Sequence, residues 1–490
     1  MNLKIICISI GILSAGLSSA QNQTMELSLE QTVKIARLES PDAQTARHSF
    51  RSAYWNYKYY RANYLPTLSL TSDPNLNRAI NKITMGDGSV KFVEQNLLNT
   101  DLTLNLSQNV SWTGGSLFLE TSAQRMDLFS EHKYSWQTSP IMIGYRQSLF
   151  GYNNLKWDKR IEPIRYQEAK KSYVETLELV SANAINKFFA LATAQSNYDI
   201  ASFNYANADT LYHYAQGRYN IGTITENEML QLELNRLTEE TNRMNARIEM
   251  DNCMQELRSY LGIQEDREIR VRVSPRVPDF SINLNEALAL AYENSPDIQT
   301  MKRRKLESES AVARARANAG LKADIYLRFG LTQTADKLPE AYRNLLDQQY
   351  VSLSISLPIL DWGRGKGQVR VARSNRDLVY TQVEQSRTDF ELNVRKLVKQ
   401  FNLQTQRVRI AARTDETAQR RNEVARKLYI LGKSTILDLN ASISEKDSAR
   451  RNYVSALYNY WSLYYTLRSM TLYDFERNKL LTEDYNLLVE

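Results

Sequence analysis

The chain is written twice. Leu29 to Thr45 matches Leu284 to Thr300, and Ala62 with Asn63 matches Ala317 with Asn318, both at an offset of 255. Further along the offset falls to 210. There Arg218 to Gly222 matches Leu428 to Gly432, Leu257 to Ser259 matches Leu467 to Ser469, and Ile141 to Phe150 pairs with Val351 to Leu360. Separate matches holding a common register mark a tandem copy rather than chance. The first copy therefore carries 45 extra residues between Asn63 and Ile141. Each copy runs in one order: a short amphipathic helix ending near Ser-Pro-Asp, a second helix, a strand, a loop, another strand, a very long helix, a Gly turn and a long returning helix.

The long helices are predicted as much by missing breakers as by pattern. No Pro occurs between Pro163 and Pro275 or after Pro358, and Gly is absent from Tyr152 to Gln216, Thr223 to Leu261 and Gln368 to Leu431. At about 1.5 Å per residue, a helix of roughly 60 residues is on the order of 90 Å long. Val174, Leu177, Ser181, Ala184, Phe188 and Leu191 form a heptad stripe, and so do Leu230, Leu234, Leu237, Thr241, Met244 and Ile248. Such a stripe wants a neighbouring helix, and a pair of these helices has no compact domain to bury itself in. They must pack laterally on others of their kind. The aromatic set Tyr453, Tyr458, Tyr460, Trp461, Tyr464 and Tyr465 reads first as filling such seams, and second as an interfacial or tunnel-lining belt.

The strands are short and alternate. Ile141, Ile143, Tyr145, Gln147 and Leu149 share a face opposite Met142, Gly144, Arg146 and Ser148. Val351, Leu353, Ile355, Leu357 and Ile359 oppose Ser352, Ser354, Ser356 and Pro358, while Leu65 to Leu70 and Ile325 to Leu331 give shorter versions. This alternation over about 10 residues suits a membrane barrel strand, and equally a half-buried soluble one. Two pairs give four strands, too few to close a barrel, which takes about eight. The extra segment holds a further hairpin, with Leu102, Leu104 and Leu106 alternating before Gly114 and Gly115. It is compatible with added strands or with an extracellular decoration.

The remaining features place the chain. Lys4, an apolar run from Ile5 to Leu17 and the small residues Ser18, Ser19 and Ala20 describe a secretory leader cleaved after Ala20. Cys253 is then the sole Cys of the mature chain, so no intramolecular disulfide is expected. No later segment resembles a transmembrane helix, which leaves a closed β-barrel as the route into a bilayer. The net charge of +7 is small, and Lys and Arg are interspersed with Asp and Glu, so no nucleic-acid partner is expected. His48, His132 and His213 are far apart without metal-ligand spacing, and no phosphate loop or nucleophile elbow occurs. Neither an enzyme nor a cofactor is expected.

A leader followed by two copies of helix, strand pair and long helical hairpin resembles the TolC family of outer-membrane efflux proteins. The residues that carry the likeness are Ser40 to Asp42 and Ser295 to Asp297, Arg61 to Pro66, Ser356 to Gly363, and the hairpin tips Arg218 to Thr223 and Leu428 to Lys433. The resemblance implies a mainly α protein with a small membrane β-barrel, forming a trimeric barrel and tunnel. It implies that each of three protomers gives four strands to a twelve-stranded barrel and that twelve long helices line a periplasmic duct. The expected division is a leader at 1–20, a first repeat at 21–281 and a second at 282–490. The first repeat has its strand pair at about 65–150, its hairpin at about 155–261 and a linker at 262–281. The second has its strand pair at about 321–360, its hairpin at about 365–470 and an equatorial segment at 471–490.

The implied function is an outer-membrane exit duct for a tripartite efflux pump or a type I secretion system. Its implied partners are a periplasmic adaptor, an inner-membrane pump and outer-membrane lipid. The implied gate is a ring of Asp438, with Glu228 at the matching place in the first hairpin; such carboxylates also suit a helix start. Tyr219, Gly222, Thr223, Tyr429, Gly432 and Lys433 are the implied docking tips. Ala441 and Ser434 replace a second Asp and a latching Arg of the family pattern, with Lys433 a substitute latch toward Glu228 or Asn227. The rival expectation is an exported coiled-coil scaffold that conducts nothing.

Overall fold

The computed structural model describes residues 25–265, 267–431 and 433–489. The expected leader at 1–20 and the tip residue Gly432 lie outside the described residues. β1 (Met25–Ser28) leads into α1 (Leu29–Glu39) and α2 (Pro41–Ala62). Among the described residues five strands follow: β2 (Thr67–Ser72), β3 (Asn75–Thr84), β4 (Val90–Val110), β5 (Gly115–Leu128) and β6 (Lys133–Ser148). The first long hairpin is α3 (Asn154–Asn220) and α4 (Glu226–Leu261), followed by β7 (Ile269–Arg272). The second copy runs through α5 (Leu284–Asn294), α6 (Pro296–Ala319), β8 (Lys322–Ala335), β9 (Leu346–Ser356), α7 (Arg364–Ile430) and α8 (Ile436–Thr471). The short strands β10 (Tyr473–Asp474) and β11 (Lys479–Leu480) pair with each other after it.

The offsets reappear as element lengths. α1 and α5 are each 11 residues long, α3 and α7 each 67, and α4 and α8 each 36. Local chemistry sets the ends. Ser28 caps α1 in a reciprocal box with Gln31, and Ser295 caps α6 ahead of Pro296 in its first turn. Gly262 ends α4 at φ 75, where a Cβ would also come within 3.2 Å of the Glu39 carbonyl oxygen.

The chain divides into two compact units. The first holds the chain up to Thr45, Thr176–Ile282 and Lys399–Arg468. In it β1 pairs in parallel with β7, and Gln195 reads the β7 backbone from α3, accepting from the Val271 amide at 3.2 Å. Phe401, Tyr460 and Tyr464 are fully buried; Phe401 and Tyr464 pack on Phe280, Tyr460 packs on Phe401, and the Tyr460 hydroxyl donates to the Pro278 carbonyl at 2.7 Å. These two tyrosines fill a seam. Glu178 is buried without exposure between Arg37 and Arg468, the latter at 2.9 Å. The Val174 to Leu191 stripe is buried throughout, whereas Leu230, Leu234, Leu237, Met244 and Ile248 of α4 are all exposed in the single chain.

The second unit holds Ala46–Glu175, Asn283–Val398 and the residues from Ser469 onward. Phe50 packs among Tyr166, Tyr173 and Tyr485, and Arg303 pairs with Glu168 at 2.6 Å and with Glu307 at 3.0 Å. The sheet lies wholly in this unit, in the order β2-β4-β5-β6-β8-β9, with β3 also on β4. β2 pairs with Leu102 to Ser107 of β4, and β3 pairs with Val90 to Asn99 of the same strand. They therefore lie end to end along one side of β4, broken at Asp73 and Pro74, where Pro lacks an amide to donate. The sheet has seven strands in six antiparallel rows.

The sheet thus holds two rows beyond the two expected strand pairs, and they come from the extra segment of the first copy. Thr67 opens β2 and Lys322 opens β8 at the 255 offset, so the two are equivalent. In the second copy β8 pairs directly with β9, Lys322 opposite Ser356. In the first copy β4 and β5 stand between β2 and β6. β9 also stops at Ser356, short of the expected Leu360. Pro358 removes a donor there, and the Asp361 carboxylate accepts from the amides of Gly363 and Gly365, at 2.9 and 2.8 Å, to open α7.

The buried Glu178 gives a direct test of the first unit. Glu178→Ala leaves two guanidiniums without their shared carboxylate, a loss worth about 3–5 kcal/mol for a buried pair. The thermal unfolding midpoint of the detergent-solubilised protein should fall clearly; an unchanged midpoint would show that the cluster carries no stability.

Candidate functional site at the hairpin tips

Both hairpins share one backbone contact at the turn. α3 ends as Gly222 takes φ 72, its amide donating to the Tyr219 carbonyl at 2.8 Å. The Thr223 amide and hydroxyl both reach the Arg218 carbonyl at 2.9 Å. Only a residue without a Cβ enters that left-handed corner cheaply, and these bonds satisfy carbonyls that the helix end leaves free. In the second copy the Lys433 amide donates to the Leu428 carbonyl at 2.9 Å, the same contact moved by 210 residues.

The two expected gate carboxylates occupy one position in this design. Glu228 accepts from the Thr225 amide at 2.9 Å, while the Glu228 amide donates to the Thr225 hydroxyl at 3.2 Å. Asp438 accepts from the Thr435 hydroxyl at 2.8 Å and from its amide at 3.4 Å, and its own amide donates back to that hydroxyl at 3.2 Å. Each is the third residue of a capping box that starts the returning helix. Both carboxylates are exposed. The Thr435 hydroxyl, then its amide, hold the Asp438 carboxyl below the usual Asp value of 3.8, with Ser434 and Arg421 adding to the effect.

Thr223 and Tyr429 come together, lining one groove of about 850 Å³ between the two tips. Tyr214 and Arg218 share it from the first hairpin, Asn422 and Arg426 from the second. Below it the Asn422 side chain donates to the buried Ser442 hydroxyl at 3.0 Å, and Asn204 of α3 donates to Asp447 of α8 at 3.0 Å. Tyr219 and Lys433 are not among the groove's lining residues, and Gly222 has open space around it. Among the described residues no ion pair joins Lys433 to Glu228, whose carboxylate is taken up by Thr225. Sequence reasoning missed Tyr214, Asn422, Arg426 and the exposed apolar tips Ile221, Leu431 and Leu437. Ile221 and Leu431 were findable, because each precedes its tip glycine at the 210 offset.

The fold just described is that of outer-membrane channels. It matches the Campylobacter jejuni CmeC outer membrane channel with a TM-score of 0.68 and 15% identity, over 94% of this chain and 88% of that one. The outer-membrane channel OprN matches at 0.64 and 16% identity, over 90% and 89% of the two chains. The Vibrio cholerae outer membrane protein VceC matches at 0.63 and 14%, over 90% and 95%. No curated protein matches the sequence. The chain belongs to the outer membrane efflux protein family, whose sequence profile covers residues 32–263 and 287–471.

The capping boxes make a pH prediction with a fixed sign. Folding lowers the Asp438 value, so it favours the ionised carboxylate. The contribution is complete above the ordinary value of 3.8 and is lost as pH falls through the lowered folded value. Hydrogen exchange across 434–440, corrected for intrinsic rates, should show the second tip fraying below that range and protected at pH 5. Equal protection on both sides would remove the box as a stabiliser.

Proposed function

We propose that three copies of this chain form the outer-membrane exit duct of a tripartite efflux pump or type I secretion system in a Gram-negative bacterium. A periplasmic adaptor and an inner-membrane pump are its partners. The division into a leader at 1–20 and repeats at 21–281 and 282–490 belongs to the same proposal. The observation that carries the reading is what a single chain leaves uncovered. One face of its sheet presents Leu70, Leu104, Leu119, Ile143, Phe329 and Leu353, all exposed, while among the described residues the edges β2–β3 and β9 have no partner strand. Lipid would cover such a face, and only closure with further copies would satisfy the edges.

The helices support the same assembly. The α4 stripe is exposed, and on α7 Val371, Leu378 and Leu392 recur at multiples of seven and are exposed too. Each Leu withdrawn from water contributes about 1.5–3 kcal/mol. The tip groove, lined by apolar Ile221 and Leu431 together with Arg218 and Arg426, suits an adaptor's helical tip. In a threefold mouth Asp438 and Glu228 would add a cation-favouring ring to their capping role.

Two measurements test the reading. Leu234→Glu with Met244→Glu should shift native mass spectra from trimer to monomer; a persistent trimer would exclude the α4 stripe as an interface. Planar-bilayer conductance separates charge from capping, because Asp438→Asn and Glu228→Gln keep an acceptor while removing the charge. The gate reading expects weaker cation preference in these variants than in wild type. Wild-type selectivity in both would discard the carboxylates as gate, and no conductance from folded wild-type protein would favour a scaffold.

A further inference from the structure

We propose that the extra segment of the first copy builds two additional membrane-spanning strands into the channel wall, so that three copies close an eighteen-stranded barrel rather than a twelve-stranded one. The inference rests on the trimeric channel reading above and adds what the wall is made of.

The first argument is position. β4 and β5 are the strands without a counterpart in the second copy, since β2–β3 corresponds to β8 and β6 to β9. They are not folded away as a loop. β4 and β5 pair continuously from Val110 opposite Gly115 to Leu97 opposite Leu128. β5 then pairs with β6 along its whole length, with one bulge between Glu120 and Ser122. The hairpin is stitched into the sheet on both sides, and β2 does not reach β6.

The second argument is face. Register carries one apolar stripe across all six rows: Leu68 opposite Leu106, Leu106 opposite Leu119, Leu119 opposite Ile143, Ile143 opposite Phe329. On the final pair Leu327 faces Val351. The inserted strands thus supply Leu102, Leu104, Leu106, Leu117 and Leu119 to the same exposed face as their neighbours. On the opposite face Phe118 lies over Gly144, where a Cβ would come within 2.0 Å of its ring, and stacks on Tyr326 at 5.8 Å. Glu120 pairs with Arg328 of β8 at 3.3 Å, a polar contact suited to a lumen and costly in lipid.

The third argument is span. The turn between β4 and β5 returns all the way to the helices. Asn109 donates to the Asn63 carbonyl at 2.9 Å and Gln108 to the Tyr64 carbonyl at 3.0 Å, both at the end of α2. Asn153, just before α3, donates to the Ser111 carbonyl at 3.1 Å. Trp112 in that turn is 83% exposed, and Trp362 at the entry to α7 is 89% exposed. Exposed Trp at the helix-side end of the strands is what a membrane–water interface attracts. The free edges are also compatible: β2 rises from α2 as β9 descends to α7, so β9 of one copy meets β2–β3 of the next in the antiparallel sense used throughout the sheet. Since barrel diameter grows roughly linearly with strand number, the wall is about one and a half times as wide as a twelve-stranded one.

Electron cryomicroscopy of the full-length protein in lipid nanodiscs counts the strands. Eighteen in a threefold ring is the expected result. Twelve, with residues 90–128 outside the wall, would overturn the proposal and leave the channel reading standing; the absence of any closed ring would remove both. An independent readout is labelling of single cysteines in a Cys253→Ser background, reconstituted in liposomes, with a membrane-impermeant maleimide. Leu117→Cys, Leu119→Cys and Thr121→Cys should be protected, while Glu120→Cys, Ser122→Cys and Gln124→Cys react, alternating with the strand period. Uniform reaction at all six positions would put β5 in water on both faces and sink the idea.

Discussion

A sheet edge is a row of unpaired amide and carbonyl groups, and in hydrocarbon each such group costs several kcal/mol. That cost organises this chain. Among the described residues the sheet has six rows of strand that satisfy one another internally and two edges, β2–β3 and β9, that lack a partner strand. The same chain exposes an apolar stripe on α4. Among the described residues neither surface finds a partner within the chain, and the proposed association with further copies would supply one. The polar groups inside each unit obey the opposite rule: buried Glu178 meets Arg37 and Arg468, and half-buried Glu168 meets Arg303, within one chain.

Much of this was legible in the sequence because a tandem copy is its own alignment. The offsets of 255 and 210 anticipate that α3 and α7, and α4 and α8, have equal lengths. The Val174 to Leu191 heptad anticipates a buried seam. The α4 heptad looked identical on paper and is exposed in the protomer, because a period reports that a helix wants a neighbour and not whose neighbour it is. The inserted hairpin was visible as alternation, but alternation has the same period in a wall strand and in an extracellular decoration. The register of Leu106 opposite Leu119 and Leu119 opposite Ile143 shows the hairpin paired within the sheet, the arrangement that the proposed wall strands need.

The tips teach a different lesson. Thr225 to Glu228 and Thr435 to Asp438 each read as Thr-x-x-acid, a sequence-level helix start that needs no family knowledge. The resemblance drew attention to the charge of Asp438 and Glu228, while the local reading explains why an acid stands at both places. The capping role and the proposed pore role would not compete for the same property. Capping uses the acceptor oxygens toward the residue's own helix, and a pore ring uses the net charge seen across the mouth. The groove residues Tyr214 and Arg426 had no comparable pattern, since they meet only when two hairpins distant in sequence pack side by side.

The parity of the insertion is itself informative. Rows in the sheet alternate in direction, and β6 must run back toward α3 just as β9 runs back toward α7. An insertion of one strand would reverse β6 and deliver the chain to the wrong end of the sheet, stranding α3 on the far side. An insertion of two restores the direction, so everything downstream keeps its place. That is why the offset changes once, before Ile141, and then holds at 210 through the long helices and both tip glycines. Forty-five residues, enough for a long antiparallel hairpin and its turns, entered at a point where an even number of strands leaves the helices untouched. On the proposed reading the wall widens while the helical hairpins keep the same lengths in both copies.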